Sequence, residues 1–99
     1  MAGRLRLHLK RRETSLDGVA LKLTNAEFQI LAALMRAPGD VVSRESLTAM
    51  ALGRQLLPDD RSLDTHISNL RKKLAGHAGG QALIRSIRGS GYVLIPAAS

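Results

Sequence analysis

The stretch SLDTHISNLRKKL, residues 62–74, has Leu63, Ile67, Leu70 and Leu74 as its only large apolar side chains. Their spacings of four, three and four place them within about 60° of one another on a helical wheel of about 100° per residue. A strand would scatter these residues over both faces, so the segment predicts an amphipathic helix with one buried stripe. The far side carries Arg61, Thr65, Ser68 and Lys72, with Asn69 beside them. Asp64 and Arg71 flank one edge of the stripe, and Ser62, His66 and Lys73 the other. A helix facing water usually mixes Glu with Lys, but no acid follows Asp64 anywhere in the chain.

Two readings of that face stand. It is either a solvated surface or a surface shaped for the DNA major groove, which admits a helix and displays distinguishable donors, acceptors and thymine methyls. Asn69 suits adenine, the Thr65 methyl suits thymine, and Arg or Lys suits guanine or phosphate. His66, Arg71 and Lys73 are placed to reach phosphates, contacts that orient a helix without reading sequence. The charge balance bears on the choice. The net charge is +7 over 99 residues, with five basic and no acidic residues in positions 1–12, and six basic against one acidic in 61–99. Clustered positive charge on a small domain favours a polyanionic partner, nucleic acid first.

The rest of the chain frames this segment. RLRLHLK alternates Leu5, Leu7 and Leu9 against Arg4, Arg6, His8 and Lys10, the period of a half-buried strand. Asp17-Gly18 marks a hairpin turn, after which Val19, Leu21 and Leu23 alternate again. Thr24 and Glu27 have capping-box spacing, followed by Phe28, Leu31, Leu34 and Met35 at helical spacing and a stop at Pro38-Gly39. DVVS is a short extended piece, and Ser43 can cap a second helix that turns Leu47, Met50 and Ala51 inward and ends at Leu52-Gly53. Asp59 or Asp60 would cap the third helix. After the AGHAGG link come ALIRSIR and GYVLIP, joined by Gly89-Ser90. A two-residue loop with Gly first suits a type II′ turn, which would pair Arg88 with Gly91. An arginine at a slim hairpin tip can enter a narrow minor groove, where the negative potential is enhanced.

Other classes fit poorly. With no cysteine there is neither a disulfide scaffold nor a thiolate metal site. The histidines are His8, His66 and His77, and none has a catalytic or metal-ligand context. His66 and Asp64 are two apart on one helix and do not face each other. The expectation is a non-enzyme with no metal and no cofactor. No apolar run approaches the roughly 18 residues of a membrane span, so no membrane is expected and the setting is cytoplasmic. Only Phe28 and Tyr92 are aromatic, few stacking platforms for RNA. A protein-interaction module that does not bind DNA is the alternative.

Four runs, LTNAEFQILAALM, VVSRESL, DRSLDTHISNLRKKL and IRSIRGSGYVL, resemble the OmpR/PhoB-type winged-helix domain, the DNA-binding part of bacterial response regulators. The similarity covers nearly the whole chain, and DDRSLDTHISNLRKKL is especially similar to the CpxR subgroup. The resemblance implies an α+β winged helix-turn-helix: an N-terminal antiparallel sheet, three helices, a recognition helix at 60–74 and a hairpin wing at 83–95. By position it implies phosphate contacts from Arg61, His66, Ser68 and Arg71, joined by Lys72. Base-facing roles fall to Thr65 and Asn69, the minor groove to Arg88, and backbone contacts to Ser86 and Tyr92. Ser68 and Asn69 stand where several relatives carry arginines, so base preference should differ. The connection Leu52, Gly53, Arg54, Gln55, Leu56, Leu57 and Pro58 matches the family's RNA polymerase contact, or is merely a link. A phosphorylatable receiver domain and its sensor kinase are implied partners, the receiver lying outside these residues. Tandem double-stranded DNA sites about one helical turn apart, occupied by two copies, are implied as well.

Overall fold

A computed structural model describes residues 5–58, 60–75 and 83–95. Arg4, Asp59, the link around His77 and the last residues lie outside them. The chain opens with β1 (Leu5–His8), β2 (Glu13–Leu16) and β3 (Val19–Leu21), an antiparallel sheet in that order. Leu16 pairs with Val19 around Asp17-Gly18, and both turn residues have positive φ, 53° and 80°. That is the two-residue turn whose twist matches the strands it joins.

Two details of the alternation differ from expectation. β1 stops at His8, where the Arg11 N–H donates to His8 Nδ1 at 3.2 Å and the chain reverses. Leu9 therefore leaves the pleat and is 57% exposed, while Leu5 is fully buried. Val19, beside the tight turn, is likewise exposed, whereas Leu21 and Leu23 pack on the core. β2, not anticipated as a separate strand, contributes buried Thr14 and Leu16.

Helix α1 (Asn25–Met35) begins with the expected capping box: Glu27 N–H donates to Thr24 Oγ1 and Thr24 N–H donates to Glu27 Oε1. It packs against the next two helices and the last strand. Because it is surrounded, Ile30, Ala32 and Ala33 are buried along with Phe28, Leu31 and Leu34. Strand β4 (Val41–Ser43) leads into α2 (Arg44–Leu52), capped by Ser43 Oγ accepting from Ser46 N–H. Gly53 ends α2 in the left-handed conformation, φ 68°. Leu47 and Thr48 face inward, but Met50 is 48% exposed; Thr48 takes the inward position instead.

Helix α3 (Ser62–Leu74) buries Leu63, Ile67, Leu70 and Leu74, as the stripe predicts. Strands β5 (Ile84–Ile87) and β6 (Gly91–Leu94) form the C-terminal hairpin, and β4 adds to the free edge of β6, giving the order β4-β6-β5. The hairpin turn differs from the expected one. Ile87, not Arg88, pairs with Gly91, so Arg88, Gly89 and Ser90 form a three-residue loop. Ser90 N–H donates to Ile87 C=O at 3.0 Å, with φ 74° at Gly89, the third turn residue. Gly91 is fixed by β4: a Cβ there would lie 2.1 Å from the Val42 carbonyl oxygen. The missing side chain makes room for a neighbouring strand, not for Arg88.

Candidate nucleic-acid interface

Helix α3 sits on the core by its apolar stripe, so the other side of the rod is left to solvent. Arg61, Thr65, Ser68, Asn69 and Lys72 are all exposed, the arc the sequence assigns to bases and phosphates, and His66 is half-buried at its edge. The Thr65 hydroxyl donates back to Arg61 C=O at 3.1 Å, which leaves its methyl as the group available for apolar contact. Asp60 supplies the start of the helix: its Oδ1 accepts the Ser62 N–H at 3.0 Å, whereas Arg61 occupies the cap position with no side-chain cap bond. The Arg54 guanidinium, and then the Ser62 N–H, hold the Asp60 carboxyl far below the usual carboxylate range.

The wing is tied to α3 at two places. Arg71 reaches across to β5, where Nε donates to Ile84 C=O at 3.1 Å and Nη2 to Ser86 Oγ at 2.9 Å. Its guanidinium also lies 5.6 Å from the Tyr92 ring centroid, a cation–π distance. Tyr92 in turn donates its hydroxyl to Asp64 Oδ1. This departs from the role expected for Tyr92: only 6% exposed and already bonded, it braces the helix against the wing instead of offering a phenol to phosphate. Arg88 is exposed in the loop at the far end of the hairpin. Lys73 also differs, since its ammonium turns inward to Glu27 Oε1 at 2.5 Å.

One contributor escapes the sequence reading. Arg44 on α2 forms a bidentate pair with Asp64, at 2.5 and 2.8 Å. That hydrogen-bonded pair holds the Asp64 carboxyl below its ordinary value despite partial burial, with the Tyr92 hydroxyl adding to the effect. The signal for Arg44 was its position: a cation in the first turn of a helix opposes the helix dipole and calls for an acid elsewhere. Asp64, the one acid on α3, is thereby neutralised, and the exposed arc of the helix is left without net negative charge.

The connection between α2 and α3 is closed by an Arg54–Asp60 ion pair, and Arg54 Nη1 also donates to Gln55 C=O at 3.2 Å. Leu56 is half-buried beside a groove lined by Glu45, Ala49 and Gly53, whereas Leu57 is 58% exposed and Pro58 is exposed. Among the described residues no group of three or more His, Cys, Asp or Glu could hold a metal ion, and no helix is long and apolar enough to cross a membrane.

Three helices and two antiparallel sheets, with the last hairpin braced against the third helix, define a winged helix-turn-helix domain. Residues 18–94 match the family described as transcriptional regulatory protein, C terminal, and the chain belongs to that family. It is 46% identical over 87 residues to the transcriptional regulatory protein CpxR of Escherichia coli K12, an alignment covering 88% of this chain and 38% of that protein. The chain thus spans about a third to two fifths of the length of the curated relatives it matches. Its fold superposes on the crystal structure of the E. coli CpxR DNA-binding domain with a TM-score of 0.89 and 43% identity, covering 99% of this chain and 96% of that one. The Klebsiella pneumoniae RstA DNA-binding domain, solved in complex with the RstA box, gives 0.85 and 32%, covering 98% and 96%.

Proposed function

We propose that this domain binds double-stranded DNA sequence-specifically as the effector part of a response regulator and thereby controls transcription. The observation that carries this reading is the outer arc of α3, exposed, cationic and free of unpaired acid, with a cation-tipped hairpin fixed beside it. Helix α3 enters the major groove, where Thr65 and Asn69 meet base edges. Arg61, His66, Ser68 and Lys72 meet phosphates on either side and set the register. Arg88 enters the adjacent minor groove. Arg71 and Ser86, bonded to each other, present one joined polar group to the backbone between the two grooves.

A longer protein would place a receiver domain, phosphorylated by a sensor kinase, ahead of the first sheet, and two copies would occupy tandem sites. Leu52 to Pro58, with Leu57 at the surface, is the segment offered to RNA polymerase. The domain acts by binding and carries no catalytic step. Relatives solved with DNA support the reading, as does a TM-score of 0.85 with the RstA complex.

Selection of bound duplexes from a random pool at two salt concentrations tests it. DNA binding predicts an enriched sequence and a steep fall of log K with log salt, near −0.9 per neutralised phosphate. Affinity indifferent to salt, with no enriched sequence, would transfer the domain to the protein-interaction class.

A further inference from the structure

Reading two grooves in one register requires the helix and the wing to keep a fixed relative position. The two elements meet at Asp64. Its carboxylate accepts from the Tyr92 hydroxyl on β6 and from both terminal nitrogens of Arg44 on α2. Tyr92 carries the Arg71 guanidinium on its ring, and Arg71 bonds Ile84 and Ser86 on β5. One acid therefore joins α2, α3 and the wing, with Arg71 as the second tie.

An acid here is otherwise out of place. It is the sole acidic residue from position 61 onward, on the helix that would lie against a polyanion. Left alone it would repel phosphate, and a neutral residue would serve the surface better. The bidentate partner cancels its charge, and the buried tyrosine gives it a fixed direction. We propose that Asp64 is a positioning residue: it holds the wing on the recognition helix so that Arg88 reaches the minor groove in the same register in which Thr65 and Asn69 meet bases. The inference rests on the DNA-binding reading.

The test is a double-mutant cycle on the 99-residue chain with a selected duplex, using Arg88→Ala alone and combined with Asp64→Asn or Tyr92→Phe. In the parent, Arg88→Ala costs about ten- to a hundredfold in affinity, the range for a good base-edge or groove contact. With Asp64→Asn or Tyr92→Phe in place, the same change costs less than about threefold, because a wing without its anchor no longer delivers the arginine. Asp64→Asn by itself also weakens binding although it removes a negative charge. An undiminished Arg88 penalty overturns the proposal, whichever way Asp64→Asn alone moves affinity. Tyr92→Phe keeps the buried ring, so it decides the matter if Asp64→Asn does not fold. If the parent shows no salt-dependent DNA binding, the DNA reading fails separately. Residual dipolar couplings on Tyr92→Phe then settle the brace: a wing reoriented against α3 supports it, and an unchanged orientation overturns it.

Discussion

The ammonium of Lys73, near the end of α3, lies 2.5 Å from Oε1 of Glu27, a carboxylate only 2% exposed in the first turn of α1. Glu27 thus serves two helices, since the same oxygen accepts the Thr24 N–H of the capping box at 3.0 Å. Burial pushes its carboxyl up, but the Lys73 ammonium and the Thr24 N–H outweigh burial and hold it below the ordinary value of 4.5. A carboxylate with a depressed folded-state pKa adds stability above its unfolded pKa, and that stability is lost as pH falls through the folded value. Thermal unfolding should therefore show the midpoint dropping as pH is lowered through and below about 4.5. Lys73→Met should cost about 1–3 kcal/mol at neutral pH, where it strands a buried charge. The difference from the parent should narrow in acid, where Glu27 becomes neutral. A difference that widened in acid would show that the pair does not hold α1 to α3.

Substitution at two hairpin glycines should have unequal effects. Gly91→Ala drives a methyl onto the Val42 carbonyl oxygen and should cost about 3 kcal/mol, the upper end for overpacking. Gly89→Ala meets no atom within 4 Å and must only adopt a positive φ, at about 1–2 kcal/mol. Chemical denaturation orders the two. Equal costs would mean that β4 does not lie against β6 as described.

Met50 and Ile30 offer a contrast on the two sides of the core boundary. Ile30 has no exposed surface and Met50 is 48% exposed. Ile30→Ala should cost about 2–5 kcal/mol, while Met50→Lys should fall within about 0.5 kcal/mol of the parent. A large loss in Met50→Lys would return that side chain to the interior.

Reader and positioner residues should separate in a binding assay on several duplexes. Asn69→Ala should change which bases are preferred, because its amide addresses base edges. Lys72→Ala should lower affinity for all sequences alike and reduce the salt slope by about one. Arg88→Ala should relax discrimination at an A·T-rich flank. Indistinguishable profiles for Asn69→Ala and Lys72→Ala would remove the division of labour on α3.

Features set by local rules were legible in the sequence. Thr24 with Glu27, Ser43 with Ser46 and the Asp17-Gly18 turn each depend on residues two or three apart, and all three are present. The stripe from Leu63 to Leu74 needed only the helical period. What escaped depends on distant partners. Glu27 and Lys73 are 46 residues apart, and Asp64 and Tyr92 are 28 apart. The pairing of β4 with β6 likewise joins Val41 to Val93, and on the other side of β6 Gly91 pairs with Ile87, which leaves Arg88 in the loop. Leu9 departs from the alternation because β1 ends at His8, whereas Met50 lies within α2 and turns outward because Thr48, beside Leu47, takes the inward position. The outward face of α3 was legible as composition, whereas the bonds that aim the wing were not.

The central claim is that the outer arc of α3 and the tip of the wing together form the DNA-contacting surface. Amide resonances followed during titration with a selected duplex test it most directly. The account predicts large, saturating shifts at Thr65, Asn69 and Arg88, with the resonances of His8, at the end of β1, and of Leu9 beyond it left in place. Shifts concentrated on the N-terminal sheet, with Thr65, Asn69 and Arg88 unmoved, would contradict it.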